Sequence, residues 1–217
     1  MATKSSDKPL TLRERKKRDA MARLLEAAKD LMWEKGYDDV TTKEIAAHAD
    51  IGEATIFRYV PSKLDLFLLV YGAEFEKVIA SCEAAEEKLL SGDPPTDPES
   101  YLKRFFDRYS ALSELYVQYP ELGYTYVKES FGSRTDIGRT GLAHGDRWYG
   151  ILEAILKQGQ EAGAFVAIDA SAVVQNCHAL YVHEVLRSHA RGLPAAEMPQ
   201  RLLHRLDVLL QPLKNTR

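Results

Sequence analysis

Apolar residues recur along this chain at intervals of three, four and seven, a spacing that predicts helices almost throughout. Met21, Leu24, Leu25, Ala28, Leu31 and Met32 form one stripe, on a helix that starts near Leu12 and stops at Gly36, just after Lys35. Thr41-Thr42-Lys43-Glu44 has the Thr-x-x-Glu form of a capping box, in which hydroxyl and carboxylate satisfy each other's backbone donors. A short helix follows, with Ile45, Ala46 and Ala49 as its narrow apolar side. Asp50-Ile51-Gly52 reads as a turn. Gly52 then caps a second short helix over 53–59, with Glu53 suited to the positive end of its dipole. Pro61 cannot extend that helix and pushes Val60 out of the α region. A longer helix starts near Lys63 and carries Leu64, Phe67, Leu68, Tyr71, Phe75, Val78 and Ile79 towards Leu90.

The proline-rich run 91–98 is a clear break. Further helical stretches are expected at about 99–118, 120–131, 144–162, 170–190 and 195–211, with Gly132, Gly138, Gly141 and Gly145 marking a loop before 144–162. No run alternates between apolar and polar residues as a half-buried strand would. The expectation is an all-α protein: a flexible basic tail at 1–11, a helical unit at 12–64 and a larger helical domain at 65–217.

Composition narrows the class. Hydrophobic residues make up 45% and charged residues 28% of the 217, the balance of an ordinary globular protein. The net charge of −3 excludes a chain that is basic overall, but the charge is unevenly placed. Residues 1–63 hold 13 Lys/Arg and 11 Asp/Glu, about +2, which leaves about −5 for the rest. Cys82 and Cys177 are far apart and read as buried thiols of a reducing compartment. With no membrane-length apolar run and no secretion signal, a cytoplasmic location is the default expectation.

Two short helices joined by a tight turn, behind a longer helix, form a helix-turn-helix, whose second helix enters the DNA major groove. Gly36-Tyr37 and the run TTKEIAAHADIGEATIFRYVPSK at 41–63 resemble the TetR/AcrR family of regulators. The resemblance covers roughly residues 15–70. It departs at Asp50-Ile51-Gly52, where the family usually has Gly-Val-Ser, at Phe57 for a usual tyrosine, and at Val60 for a usual phenylalanine. It implies that Lys43, Glu53, Ala54 and Phe57 face base edges and that Thr42, Thr55, Arg58, Tyr59 and Lys63 face phosphates. Chemically, lysine can donate to guanine, glutamate can accept from cytosine, and Ala or Phe can touch a thymine methyl. The basic stretch Arg13–Arg18 is read as an arm that reaches the minor groove or simply adds charge.

The same resemblance implies that residues 65–217 bind an effector and dimerise, and that the chain is a ligand-responsive regulator, a repressor by the commoner family behaviour. Its operator would be a pseudo-palindrome bound by a homodimer. The dense aromatics suit a small, mainly apolar effector, with Phe105, Tyr109, Tyr126, Trp148 and His178 as candidate pocket residues. The helices at 144–162 and 170–190 match the family's dimer-forming pair, with Leu152, Ile155, Leu156, Val174, Tyr181, Val182 and Val185 as candidate interface residues. No cofactor is expected. His178, His183 and His189 do not converge on one helix face, so no metal site is expected either. The competing classes are a helical enzyme and a small-molecule-binding protein without a DNA role; no hydrolase elbow or phosphate loop supports the first.

Overall fold

The computed structural model describes residues 11–92, 95–130 and 135–215. The tail expected at 1–11 therefore lies, except for Thr11, outside the described residues, as does Gly132. Among the described residues there are nine α-helices and no strand. The chain divides into two compact units, residues 1–70 and 71–217.

In the first unit each helix start follows from its capping residues. Thr11 and Glu14 form a capping box that opens α1 (Leu12–Lys35). Thr41 and Glu44 do the same for α2 (Thr42–His48), and hydrogen bonds from the Thr41 backbone and hydroxyl hold the Glu44 carboxyl down at about 2. α3 spans Glu53–Tyr59 with Gly52 as N-cap. The Ser62 hydroxyl accepts from Asp65 N–H at 3.0 Å at the head of α4 (Lys63–Leu90), which crosses from the first unit into the second. Ile45, Ala46, Ala49 and Ile56 are all buried, and this small core sets the α2–α3 angle. Arg23 on α1 donates to the Ala49 carbonyl at 3.2 Å, tying α1 to the end of α2.

Asp50 turns the chain between α2 and α3 with φ 52°, in the left-handed region where a Cβ is unfavourable. Asp50→Gly is expected to stabilise the first unit by about 0.5 kcal/mol, the glycine's greater unfolded freedom offsetting part of the relief. A urea midpoint checks this, and a lower midpoint would show that the Asp50 side chain contributes more than its backbone strain costs.

In the second unit α5 (Pro98–Gln118) packs against α6 (Pro120–Ser130), α7 (Asp136–Glu161) and α9 (Met198–Leu210). α8 (Ala170–Ala190), N-capped by Asp169, packs against α6, α7 and α9. The stretch expected as one helix at 195–211 is α9 flanked by two 3-10 turns, Ala195–Glu197 and Gln211–Leu213. The glycine loop is corrected: Gly138, Gly141 and Gly145 lie inside α7, which begins at Asp136. A helical glycine costs only about 1 kcal/mol, which α7's packing against α5 and α8 can supply. Gly159, near the end of α7, allows a close approach: a Cβ there would sit 2.5 Å from the Phe165 ring.

The α8–α9 seam holds a buried charge. Glu184 is fully buried and pairs with Arg205 at 3.0 Å, Arg201 at 3.2 Å and Arg187 at 3.7 Å. Arg201 also donates to the Ser188 hydroxyl at 2.8 Å.

Candidate nucleic-acid interface and ligand cavity

α3 buries Ile56 and turns the rest of its surface outward. Glu53, Ala54, Phe57 and Arg58 are exposed, as is Lys43 on α2, while Thr42, Thr55, Tyr59 and Lys63 are half-buried. Phe57 is 52% exposed, so about half of its ring surface is open on the outer side of α3. The Thr42 hydroxyl donates to Glu53 at 2.7 Å, so the first residue of α2 and the first of α3 are linked on this surface. That bond occupies the hydroxyl that the sequence reading reserved for a phosphate. It also gives Glu53 a local partner.

Lys63 is held in place rather than free. Its ammonium lies 4.4 Å from the centre of the Tyr37 ring and 3.4 Å from the Asp38 carbonyl oxygen. Partial burial lowers its pKa, against the opposing pull of Asp38, Asp39 and Glu44.

Arg13–Arg18 do not form an extended arm; they are the first turns of α1. Helical spacing places Arg13, Lys16 and Lys17 beside Arg58 and Tyr59 around a concave surface of about 720 Å³. Four cations there meet one acid, Glu14, so the surface favours a polyanion. The spacing of 13, 16 and 17 is the sequence signal for this shared helix face.

The second unit contains a cavity of about 80 Å³ lined by residues of α4, α5, α6 and α8. Tyr126 and His178, candidates from the sequence, line it; Phe105, Tyr109 and Trp148 do not. Those three are fully buried and packed on one another, with Tyr109 edge-on to Trp148 at 5.7 Å and 5.5 Å from Phe105. Phe75 joins this cluster to the cavity, 6.0 Å from Trp148. The sequence reading missed Tyr71 and Phe75, one turn apart on α4, and Leu112, Leu115 and Ser130.

Leu152, Ile155, Leu156, Val174, Tyr181 and Val185 are buried in the chain's own core, and Tyr181 and Val182 line the cavity. In the single chain this helical stripe faces mainly inward, with Val182 half-buried.

Burial governs the chemistry of the cavity. It pushes the Tyr126 phenol up to about 12 and raises Tyr71 and Tyr181 as well, and the thiol of Cys177, next to His178 in sequence, is pushed up to about 12. It holds the His178 imidazole down at about 4 against an ordinary 6.5. The folded state therefore keeps His178 neutral where the unfolded chain would charge it. The corresponding stability is fully present above pH 6.5 and is lost as pH falls from 6.5 to about 4. His178→Phe is expected to flatten that decline, read as urea midpoints across this window; an unchanged slope would assign the decline to other groups.

Comparison with known proteins agrees with this geometry. The family described as "Bacterial regulatory proteins, tetR family" matches residues 24–70. The HTH-type transcriptional repressor KstR of Mycobacterium tuberculosis is 26% identical over 119 residues, 55% of this chain and 53% of that protein. KstR of Mycolicibacterium smegmatis is 33% identical over 78 residues, 36% of this chain and 37% of its own length. This chain thus spans between about a third and a half of the curated relatives it matches. Among solved structures, Thermus thermophilus FadR in complex with lauroyl-CoA has a TM-score of 0.68 at 20% identity, covering 90% of this chain and 96% of that one. A TetR transcription regulator from Haloarcula marismortui has a TM-score of 0.67 at 18% identity, covering 91% and 100%. Residues 24–70 of this chain thus match the DNA-binding segment of the TetR family, and its fold resembles that of solved TetR-type regulators.

Proposed function

We propose that this protein is a ligand-responsive transcriptional repressor that binds a pseudo-palindromic DNA operator as a homodimer. The observation that carries this reading is the outward face of α3, where Ala54, Phe57 and Arg58 stand exposed over a buried Ile56. Ala54 and Phe57 offer apolar contact to thymine methyls, and Lys43 on α2 offers a donor to guanine. Thr55, Arg58, Tyr59 and Lys63 serve the phosphates, together with Arg13, Lys16 and Lys17 from α1.

The dimer is assigned to the outer faces of α8 and α9. Ala172, Ala179 and Leu186 lie along one side of α8, and Val208 and Leu209 project from α9 with 63% and 37% exposure. Leu180, Val208, Leu209 and Pro212 line an open groove there. Exposed aliphatic residues on two adjacent helices suit a four-helix contact across a two-fold axis.

The effector is assigned to the cavity of the second unit. Tyr71 and Phe75 of α4 line it, and the first turn of the same helix carries Lys63. A ligand that needs more room than the empty cavity offers displaces α4 and weakens DNA binding. A 100-fold preference for the DNA-free state corresponds to about 2.7 kcal/mol of coupling.

Selection of bound duplexes from a random-sequence pool tests the reading. Two inverted half-sites should emerge, with centres about 34–36 Å apart or a multiple of that. Recovery of no consensus, or of a single half-site, contradicts it. Lys63→Ala should weaken binding to all sequences and lower the salt slope by about one unit per half-site. An unchanged slope removes Lys63 from the phosphate contacts.

A further inference from the structure

We propose that the cavity of the second unit takes a small, uncharged aromatic ring bearing a hydroxyl group, a monocyclic phenol or aryl alcohol, and rejects carboxylates. The inference rests on the reading of this cavity as the effector site. Three features carry it.

The first is the absence of charge. Of the residues that line the cavity none is Lys, Arg, Asp or Glu. A buried carboxylate would therefore find no counter-ion, and an unpaired charge in an apolar site is strongly disfavoured. The environment that raises the Tyr71, Tyr126 and Tyr181 phenols and keeps His178 neutral would penalise a ligand anion in the same way.

The second is shape. The cavity walls carry five rings: Tyr71 stacked on Tyr126 at 4.7 Å, His178 stacked on Tyr181 at 5.6 Å, and Phe75. Flat walls of this kind favour a flat guest through offset-stacked and edge-to-face contacts. The volume of about 80 Å³ is roughly half that of a cavity known to admit benzene. One ring enters with modest side-chain shifts, whereas a fused-ring system or a long acyl chain requires much wider opening.

The third is a missing hydrogen bond. The Nδ1 atom of His178 is buried and has no partner. Several other buried polar atoms of the protein also lack a partner, but this one belongs to a residue that lines the cavity, where a guest can supply the bond such groups normally make. A neutral imidazole offers one donor and one acceptor, and a hydroxyl group can meet either, whichever nitrogen carries the proton.

Calorimetric titration of the full chain, without DNA, with para-cresol, toluene and para-toluate at neutral pH tests the proposal. Para-cresol should bind tightest. Para-toluate, the same ring with a carboxylate, should bind about a hundredfold more weakly or worse. Toluene should bind about fivefold more weakly than para-cresol for want of the hydrogen bond. His178→Phe should erase the cresol–toluene difference while near-ultraviolet circular dichroism shows the variant folded as the parent is, which separates a lost hydrogen bond from misfolding. The proposal is overturned if para-toluate equals para-cresol, if none of the three binds, or if His178→Phe retains the preference. A separate gel shift on the selected operator reports on the regulator reading. A protein that binds both the operator and para-toluate keeps that reading and loses this one.

Discussion

Phe57→Asp is expected to reduce specific operator binding by about a hundredfold or more while leaving the melting temperature unchanged or slightly raised. The two halves of this expectation come from the same number. Phe57 is 52% exposed at the middle of α3, so its loss removes little intramolecular burial, and exposed helix positions tolerate substitution. On DNA the same side chain would lose an apolar contact and set a carboxylate against the phosphates. One lost base contact costs about 1–3 kcal/mol, and a dimer loses two, so the sum is about 2–6 kcal/mol. Fluorescence anisotropy on the selected operator and a thermal melt of the same sample decide the matter. A melt several degrees lower, with affinity reduced only in proportion to the unfolded fraction, would make Phe57 a packing residue.

Glu184→Gln should have the largest effect on stability, about 2–3 kcal/mol of the second unit. Glu184 is fully buried between α8 and α9 and is shared by Arg187, Arg201 and Arg205. Removing one partner of a buried ion network typically costs 3–5 kcal/mol, because the opposite charge is left uncompensated. The figure is reduced here because Arg187 and Arg205 are about a third exposed and can turn towards water, whereas Arg201 remains held near Ser188. Because α8 and α9 carry the proposed dimer face, the variant should also dissociate at higher concentration than the parent. Pairing Glu184→Gln with Arg201→Met should recover much of the loss, since a matched apolar replacement removes the stranded charge. Urea unfolding followed by near-ultraviolet circular dichroism measures the first effect and sedimentation measures the second. A change below about 0.5 kcal/mol would mean that water reaches the seam and screens it.

The first unit was legible in the sequence because its signals are local. The Thr41/Glu44 capping box, the Gly52 N-cap and the stop at Val60-Pro61 act within a turn of the residues they specify, and the bounds of α2 and α3 follow from them. The second unit was legible only as a list of helices. Periodicity says that Leu152, Ile155 and Leu156 share a face of α7 but not what that face meets, and it meets α5 and α8 of the same chain. The outward apolar residues that suit a partner, Val208 and Leu209, are adjacent rather than part of a long stripe, so the pattern understated them. Aromatic density located the core of this unit, but Phe105, Tyr109 and Trp148 fill one another's space, and the opening lies beside them. The glycines of α7 misled for the opposite reason: intrinsic preference argues for a loop at 138–145, and tertiary packing overrides it.

The central claim is that the exposed side of α3 is the surface that meets DNA, and site-directed photo-crosslinking tests it most directly. Ala54→Cys, carrying a thiol-linked photo-crosslinker, presents the probe from the exposed face of α3, while the native Cys82 and Cys177 are buried and resist labelling. Irradiation with the selected operator should join this position to bases within the half-sites. The same probe at Glu34→Cys, exposed on the far end of α1, should join to none. Equal crosslinking from both positions, or crosslinking from Glu34→Cys alone, would contradict the assignment of α3 as the reading helix.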